Sequence, residues 1–236
     1  MKETKKPNRW RMVYTPQEIA QLPQGQPYLY YVVYSDWTDA NIHILHKHED
    51  IIEILVILEG KGTCHVGQRR YDVQAGDVMI FNAMVLHDEF PQMEEAYQTM
   101  CMGIKGLKLP ELAENHLISD DRCPIFHGME EYHDLVALFR MMERYLAERC
   151  PRYQEMCRHL MYAAIDLTQN MIENSKNRPI PFADTVCTQV MKYIDLHYAE
   201  NLTLEQISQL FYISPYHLAH IFKRFSGYTL KQYILR

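Results

Sequence analysis

The chain has 236 residues, 47% hydrophobic and 23% charged, with 9 glycines and 11 prolines, which excludes a collagenous, low-complexity or largely disordered protein. The formal net charge is −6, yet from Ser214 to Arg236 there are only basic charges (Lys223, Arg224, Lys231, Arg236) and two histidines, a pattern that suits either a polyanion-binding end or a solvated helix face. No apolar run approaches the roughly 18 residues of a membrane span, and the basic, polar start of the chain has no signal-peptide core. The six cysteines form no C-x-x-C pair, so they are expected to be the reduced thiols of a cytoplasmic protein.

In chain order, residues 28–104 read as strands. YLYYVVYS (28–35), NIHILHKH (41–48), EILVILEG (53–60), TCHVG (63–67), RRYDV (69–73), DVMIF (77–81) and YQTMCMGI (97–104) are short, rich in Val, Ile and aromatics, and separated by turn signals such as Ala75-Gly76-Asp77. Strands at this spacing predict an antiparallel sandwich or barrel. The segment before them, with Trp10 and Arg11, is expected to be an N-terminal arm.

Two amphipathic helices are predicted next. Glu130–Arg149 carries Leu135, Leu138, Phe139, Met142 and Leu146, and Arg152–Asn174 carries Met156, Leu160, Ala163, Leu167 and Met171, each at helical spacing. Pro151 ends the first and suits the first turn of the second. Such a pair either covers the barrel or forms a dimer seam; the pattern fits both.

NSKNRPIPFAD (174–184) reads as a linker. Asp184 can then cap a helix bearing Val186, Val190, Ile194 and His197. Thr203, with Gln206 three residues on, forms a capping box for a helix whose inner face is Leu204, Ile207 and Phe211. Ser214-Pro215 opens a third helix, stopped by Gly227. At 100° per residue, Ile221, Phe222 and Phe225 fall within about 60° of Leu218 and define its buried side. Tyr216, His217, Ala219 and His220 lie outward in its first turns, where a reading helix reaches base edges; Lys223 and Arg224 are placed for phosphates. Helix, short turn and outward-basic helix make a helix-turn-helix.

The run T-L-E-Q-I-S-x5-S-P-Y-H-L-A-H-I-F-K-R-F-S-G-Y-T-L-K-Q-Y (203–233) resembles the first helix-turn-helix of the AraC family of bacterial transcription regulators, through Leu204, Ile207-Ser208, Ser214, Leu218, Phe222-Lys223, Gly227 and Tyr233. The resemblance implies DNA binding by Ser214, Tyr216, His217, Ala219, His220, Lys223 and Arg224. One departure is His220, where the family often has Arg. The family carries two such motifs, and this chain ends at Arg236 inside the connecting helix, so the second is expected to lie outside it.

The barrel segment contains His46-x-His48-x4-Glu53-x6-Gly60, then Ala75-Gly76-Asp77 and His87, similar to the two motifs of the cupin barrel that AraC-type regulators place before their DNA-binding half. That resemblance maps three His and one Glu to His46, His48, Glu53 and His87. His46 and His48 alternate onto one strand face, and Glu53 opens the next strand. Such a set suits a divalent transition metal such as Zn, Ni, Mn or Fe, or else lines a pocket for a sugar-like effector, for which no cofactor is required. Trp37 either stacks on a sugar ring in that pocket or plugs the barrel end.

The expected fold class is therefore α+β and multidomain: an antiparallel cupin-like barrel, a helix pair, and a partial all-α helix-turn-helix domain. The expected bounds are an arm over 1–27, the sensing barrel over 28–109, a helical dimerisation region over 110–174, a linker over 175–183 and the DNA-binding part over 184–236. The expected function is a ligand-responsive regulator, not an enzyme. Its partners would be operator DNA, a small-molecule effector, a second copy of itself and, in the complete protein, RNA polymerase, with no membrane. The rival expectation is a metal-dependent cupin enzyme, a dioxygenase or isomerase, with a helical appendage.

Overall fold

The computed structural model describes residues 9–37, 43–67, 69–92, 96–119, 122–175, 182–197, 200 and 202–235. The chain separates into two compact units, the first made of Met1–Val66 and Tyr71–Asn177, the second of Gly67–Arg70 and Arg178–Arg236. Among the described residues no helix is long and apolar enough to cross a membrane.

The first unit contains two antiparallel sheets. Its strands are β1 (Arg9–Val13), β2 (Tyr28–Trp37), β3 (His43–His46), β4 (Ile52–Glu59), β5 (Lys61–Val66), β6 (Arg69–Gln74), β7 (Val78–Phe81), β8 (His87–Pro91), β9 (Tyr97–Lys105) and β10 (Ile125–Phe126). The larger sheet runs β1-β2-β9-β4-β7-β10 and the smaller β3-β8-β5-β6. Every predicted strand is present, and three more are added. β1 (RWRMV) zips onto the edge of β2, with Arg11 opposite Val33, so the expected arm contributes a strand to the sheet. β8 (HDEFP) has little intrinsic strand preference and takes its form from pairing with β3 and β5. β10 is too short to leave a periodic signal, and it places a strand inside the region expected to be helical.

β4 shows how this sheet is stabilised. Its residues Ile52 to Ile57 are all buried, because the strand alternates between two cores. Leu55 and Ile57 face the space between the sheets with Val33, Cys64, Val73, Met79 and Phe81. Ile52, Ile54 and Val56 face outward onto helices α2 (Tyr132–Glu148) and α3 (Tyr153–Asn174).

The buried stripe of α2 is Leu135, Phe139, Met142 and Leu146, so the helix pair covers the sheet. In α3 the buried face is Cys157, Met161, Ala164, Ile165, Thr168, Met171 and Ile172. The expected stripe of Met156, Leu160, Ala163 and Leu167 is one residue out of phase and only half-buried, because α3 packs against α2 and the sheet together and buries a wider face. Pro151 sits in the turn between left-handed Arg149 (φ 48) and Arg152 (φ 67), not in the first turn of α3. A short helix, α1 (Pro16–Ala20), is capped by Thr15 and fastened to that turn: Arg149 and the Tyr153 hydroxyl both donate to Glu18, and Arg149 also donates to the Val13 carbonyl at 3.2 Å.

The second unit has its own core of Val186, Cys187, Val190, Met191, Ile194, Ile207, Leu218, Ile221, Phe222 and Leu230. Its helices are α4 (Phe182–Leu196), α5 (Leu204–Leu210), α6 (Pro215–Ser226) and α7 (Leu230–Ile234). α4 begins at Phe182, inside the expected linker, so Asp184 lies within its first turn and does not cap it. His197 falls just past its end, stacked on Tyr193 and paired with Glu200 at 2.8 Å. The Thr203–Gln206 capping box of α5 forms in both directions, at 3.0 and 3.2 Å.

Candidate functional site

The four barrel residues singled out by motif converge. His46 and His87 are register partners across β3 and β8, which brings their rings to 4.4 Å. His48, just past β3, stands 5.0 Å from the His46 ring and 5.6 Å from that of His87. Glu53 enters from β4, the strand position whose neighbours Ile52 and Ile54 point to the helices. One ligand atom from each of the four lies within 4.8 Å of the others.

Glu53 is the hub. Its Oε2 lies 3.1 Å from His87 Nε2 and its Oε1 3.6 Å from His48 Nε2, and it accepts a hydrogen bond from the Tyr31 hydroxyl. Burial alone would push the carboxyl up, but the imidazoles of His48 and His87 hold it well below the ordinary carboxylate range. Burial works against a charged His87 as well, and Glu53 outweighs it, raising the imidazole above its usual value. His87 is oriented from behind: its Nδ1 donates to the Val85 carbonyl at 2.9 Å, and Phe81 stacks on its ring at 4.2 Å. With Nδ1–H spent, a neutral His87 would turn a bare Nε2 toward a carboxylate oxygen, two acceptors face to face. The contact is satisfied by a proton or by a cation between them. An ion bound at about 2.1 Å spaces its ligands roughly 3–4 Å apart, so the widest of these pairs needs to close by about 1–2 Å to hold one. Three imidazoles and one carboxylate, with a carbonyl and a phenol behind them, fit a divalent transition metal.

The same group walls a cavity of about 80 Å³, room for roughly three water-sized groups. Its other polar walls are Arg11, Ser35, Glu89 and Thr99, and its apolar ones Val33, Leu55 and Cys101. Arg11 reaches it from β1, its guanidinium 4.0 Å over the Tyr31 ring. Sequence reasoning missed Tyr31 and Arg11. Tyr31 shares its strand face with Val33 and Ser35, so alternation from the predicted strand could have found it; nothing in RWRMV marks Arg11. The side chain of Trp37 lies outside the described residues. His65 takes no part and pairs with Asp88 at 3.0 Å.

In the second unit α6 has the anatomy of a presented helix. Ser214 caps it by accepting the His217 N–H at 3.2 Å, Pro215 opens it and left-handed Gly227 (φ 77) closes it. Leu218, Ile221 and Phe222 are buried with Phe225 half-buried, which leaves Tyr216, His217, His220, Lys223 and Arg224 exposed and Ala219 half-buried. Tyr216 is 85% exposed, a large aromatic facing solvent for no gain in folding.

Two family models match the chain: "AraC-like ligand binding domain" over residues 29–165, and "Bacterial regulatory helix-turn-helix proteins, AraC family" over 194–235. The chain is 21% identical to the uncharacterized HTH-type transcriptional regulator YdiP of Escherichia coli over 76% of its length, and spans 60% of that protein. It is 23% identical to the HTH-type regulator YbfI of Bacillus subtilis, covering 80% of this chain and 68% of the relative. Among solved structures it is similar to a cupin protein from Bacteroides fragilis, at 20% identity, covering 38% of this chain and 77% of that one with a TM-score of 0.31.

Proposed function

Because the chain belongs to the AraC family of bacterial regulators, we propose that it is part of a ligand-responsive transcription regulator, with the barrel of 28–109 sensing a small molecule, the region 110–174 assembling two copies and 184–236 binding operator DNA. The observation that carries this reading is the presence in one chain of a walled polar cavity and a capped helix whose outward side is aromatic and basic. The effector would be a compact polar molecule, sugar-like in its hydroxyls, held by His46, His48, Glu53 and His87 directly or through a metal ion. With the α2 stripe buried against the sheet, a homodimer would use the half-buried Leu160, Ala163 and Leu167 of α3. RNA polymerase would be a partner of the complete protein, and the absence of a membrane-crossing helix among the described residues agrees with action on DNA in the cytoplasm.

The test is a salt-dependent binding titration on a duplex selected from a random pool. Tyr216→Ala or His220→Ala is expected to cost about 1–3 kcal/mol and relax sequence preference. Lys223→Ala is expected to weaken all duplexes alike and lower the salt slope by about one unit. Binding that depends on none of these residues would overturn the reading. The His/Glu set also suits a metal-dependent cupin enzyme; metal analysis of the purified protein, together with a chain that ignores DNA, would favour that reading instead.

A further inference from the structure

The helix-turn-helix carries a residue in a conformation that its type disfavours. α5 ends in a complete Schellman motif: Tyr212 N–H donates to the Gln209 carbonyl at 3.2 Å and Ile213 N–H to the Ser208 carbonyl at 2.9 Å. This geometry forces the residue after the cap into the left-handed region, where glycine alone pays nothing. At the end of α6 that place is filled by Gly227; at the end of α5 it is filled by Tyr212, with φ 54. Left-handed Arg149 in the first unit is compensated, since its side chain binds Glu18, Tyr153 and the Val13 carbonyl. Tyr212 is 97% exposed, so its ring packs on nothing among the described residues of its own unit and offsets neither the strain nor its exposure. Strain that folding does not repay points to a partner.

Resting on the reading of α6 as the DNA-binding helix, we infer that Tyr212 is a DNA contact outside that helix, its phenol donating a hydrogen bond to a backbone phosphate beside the segment α6 reads. Three observations favour DNA as the partner. Tyr212 sits in the turn that opens α6, four residues before Tyr216, which is also exposed. The chain from Ser214 onward carries basic charge and no acid, so this end is attractive to phosphate. A phenol is a neutral donor of the kind that fixes register on a duplex without reading bases.

The experiment is an anisotropy titration of the 236-residue chain on a short fluorescein-labelled duplex of mixed sequence at low salt, with thermal melting of the same samples. Tyr212→Gly is expected to raise the melting temperature of the second unit by a few degrees while weakening the duplex about tenfold, the loss of one hydrogen bond to a charged acceptor. Its salt slope should match the wild type, because a neutral donor displaces no counterion, whereas Lys223→Ala lowers the slope. Tyr212→Phe keeps the ring and the strain; it should lose the same affinity with no change in melting, and it decides the matter if Tyr212→Gly does not fold. Wild-type affinity in both Tyr212 variants, beside a weakened Lys223→Ala, overturns this inference alone. Failure of the wild type to bind any duplex overturns the reading of α6 and this inference with it.

Discussion

Gly103 lies opposite Tyr31 in the ladder between β2 and β9, and a Cβ built there would come within 2.5 Å of the Tyr31 ring. The ring cannot yield freely, because its hydroxyl is bonded to Glu53 on one side and its face carries the Arg11 guanidinium on the other. Gly103 is therefore the space that lets Tyr31 reach the cavity. Gly103→Ala is expected to destabilise the first unit by about 1–3 kcal/mol, read as a lowered denaturation midpoint, as overpacking in a close-packed core does. Gly103→Ala combined with Tyr31→Ala should show less than the sum of the two costs, since the second change removes the clash. An unchanged midpoint for Gly103→Ala would mean the ring has room elsewhere. Neither Gly103 nor Tyr31 belongs to a motif; their role exists only once two strands distant in sequence are paired.

At the scale of elements, the fastening of α1 to the α2–α3 turn depends on one carboxylate. Burial would push Glu18 up, but the Tyr153 hydroxyl, Thr15 and Arg149 lower it to about 2. A depressed carboxyl contributes stability that is complete above its ordinary value near 4.5 and lost as pH falls toward 2. The melting-temperature gap between wild type and Glu18→Gln should thus be widest above about pH 5 and close toward about pH 2. A gap that widens in acid would contradict the fastening. The helix pair supplies a second test. Met142 is wholly buried against the sheet, so Met142→Lys should unfold the first unit. Leu160, half-buried on α3, is a different case: Leu160→Lys should leave circular dichroism unchanged and shift sedimentation toward the monomer if α3 forms the dimer seam. A Leu160→Lys protein that sediments like wild type would move the seam elsewhere.

Across the whole molecule, the two units carry separate hydrophobic cores, which is the condition for separable folding. Phe222 is fully buried at the centre of the second. Phe222→Ala is expected to cost about 3–5 kcal/mol, enough to melt a small unit at ambient temperature. DNA binding should disappear while the barrel's own melting transition and any metal content stay as in wild type. Loss of both together would show that the cores fold as one. The division also explains the charge pattern: acidic residues spread over the first unit leave the net charge at −6, while the end of the chain keeps only basic ones.

Local chemistry in the sequence was enough to determine the strands with β-branched alternation, the caps at Thr203 and Ser214 and the buried side of α6, while the resemblance to the cupin motifs pointed to His46, His48, Glu53 and His87, which meet in the barrel. Each is written in a few neighbouring residues, or in a motif whose spacing carries its own geometry. Tertiary structure decided the rest. β8 lacks strand-like composition and takes its form between β3 and β5, and β1 forms because the edge of β2 was open to pair with. Whether the α2 stripe faces a sheet or a second copy could not be read from periodicity, since an apolar face is the same whatever covers it. Arg11 reaches the cavity through strand pairing alone, a long-range property that no local window contains.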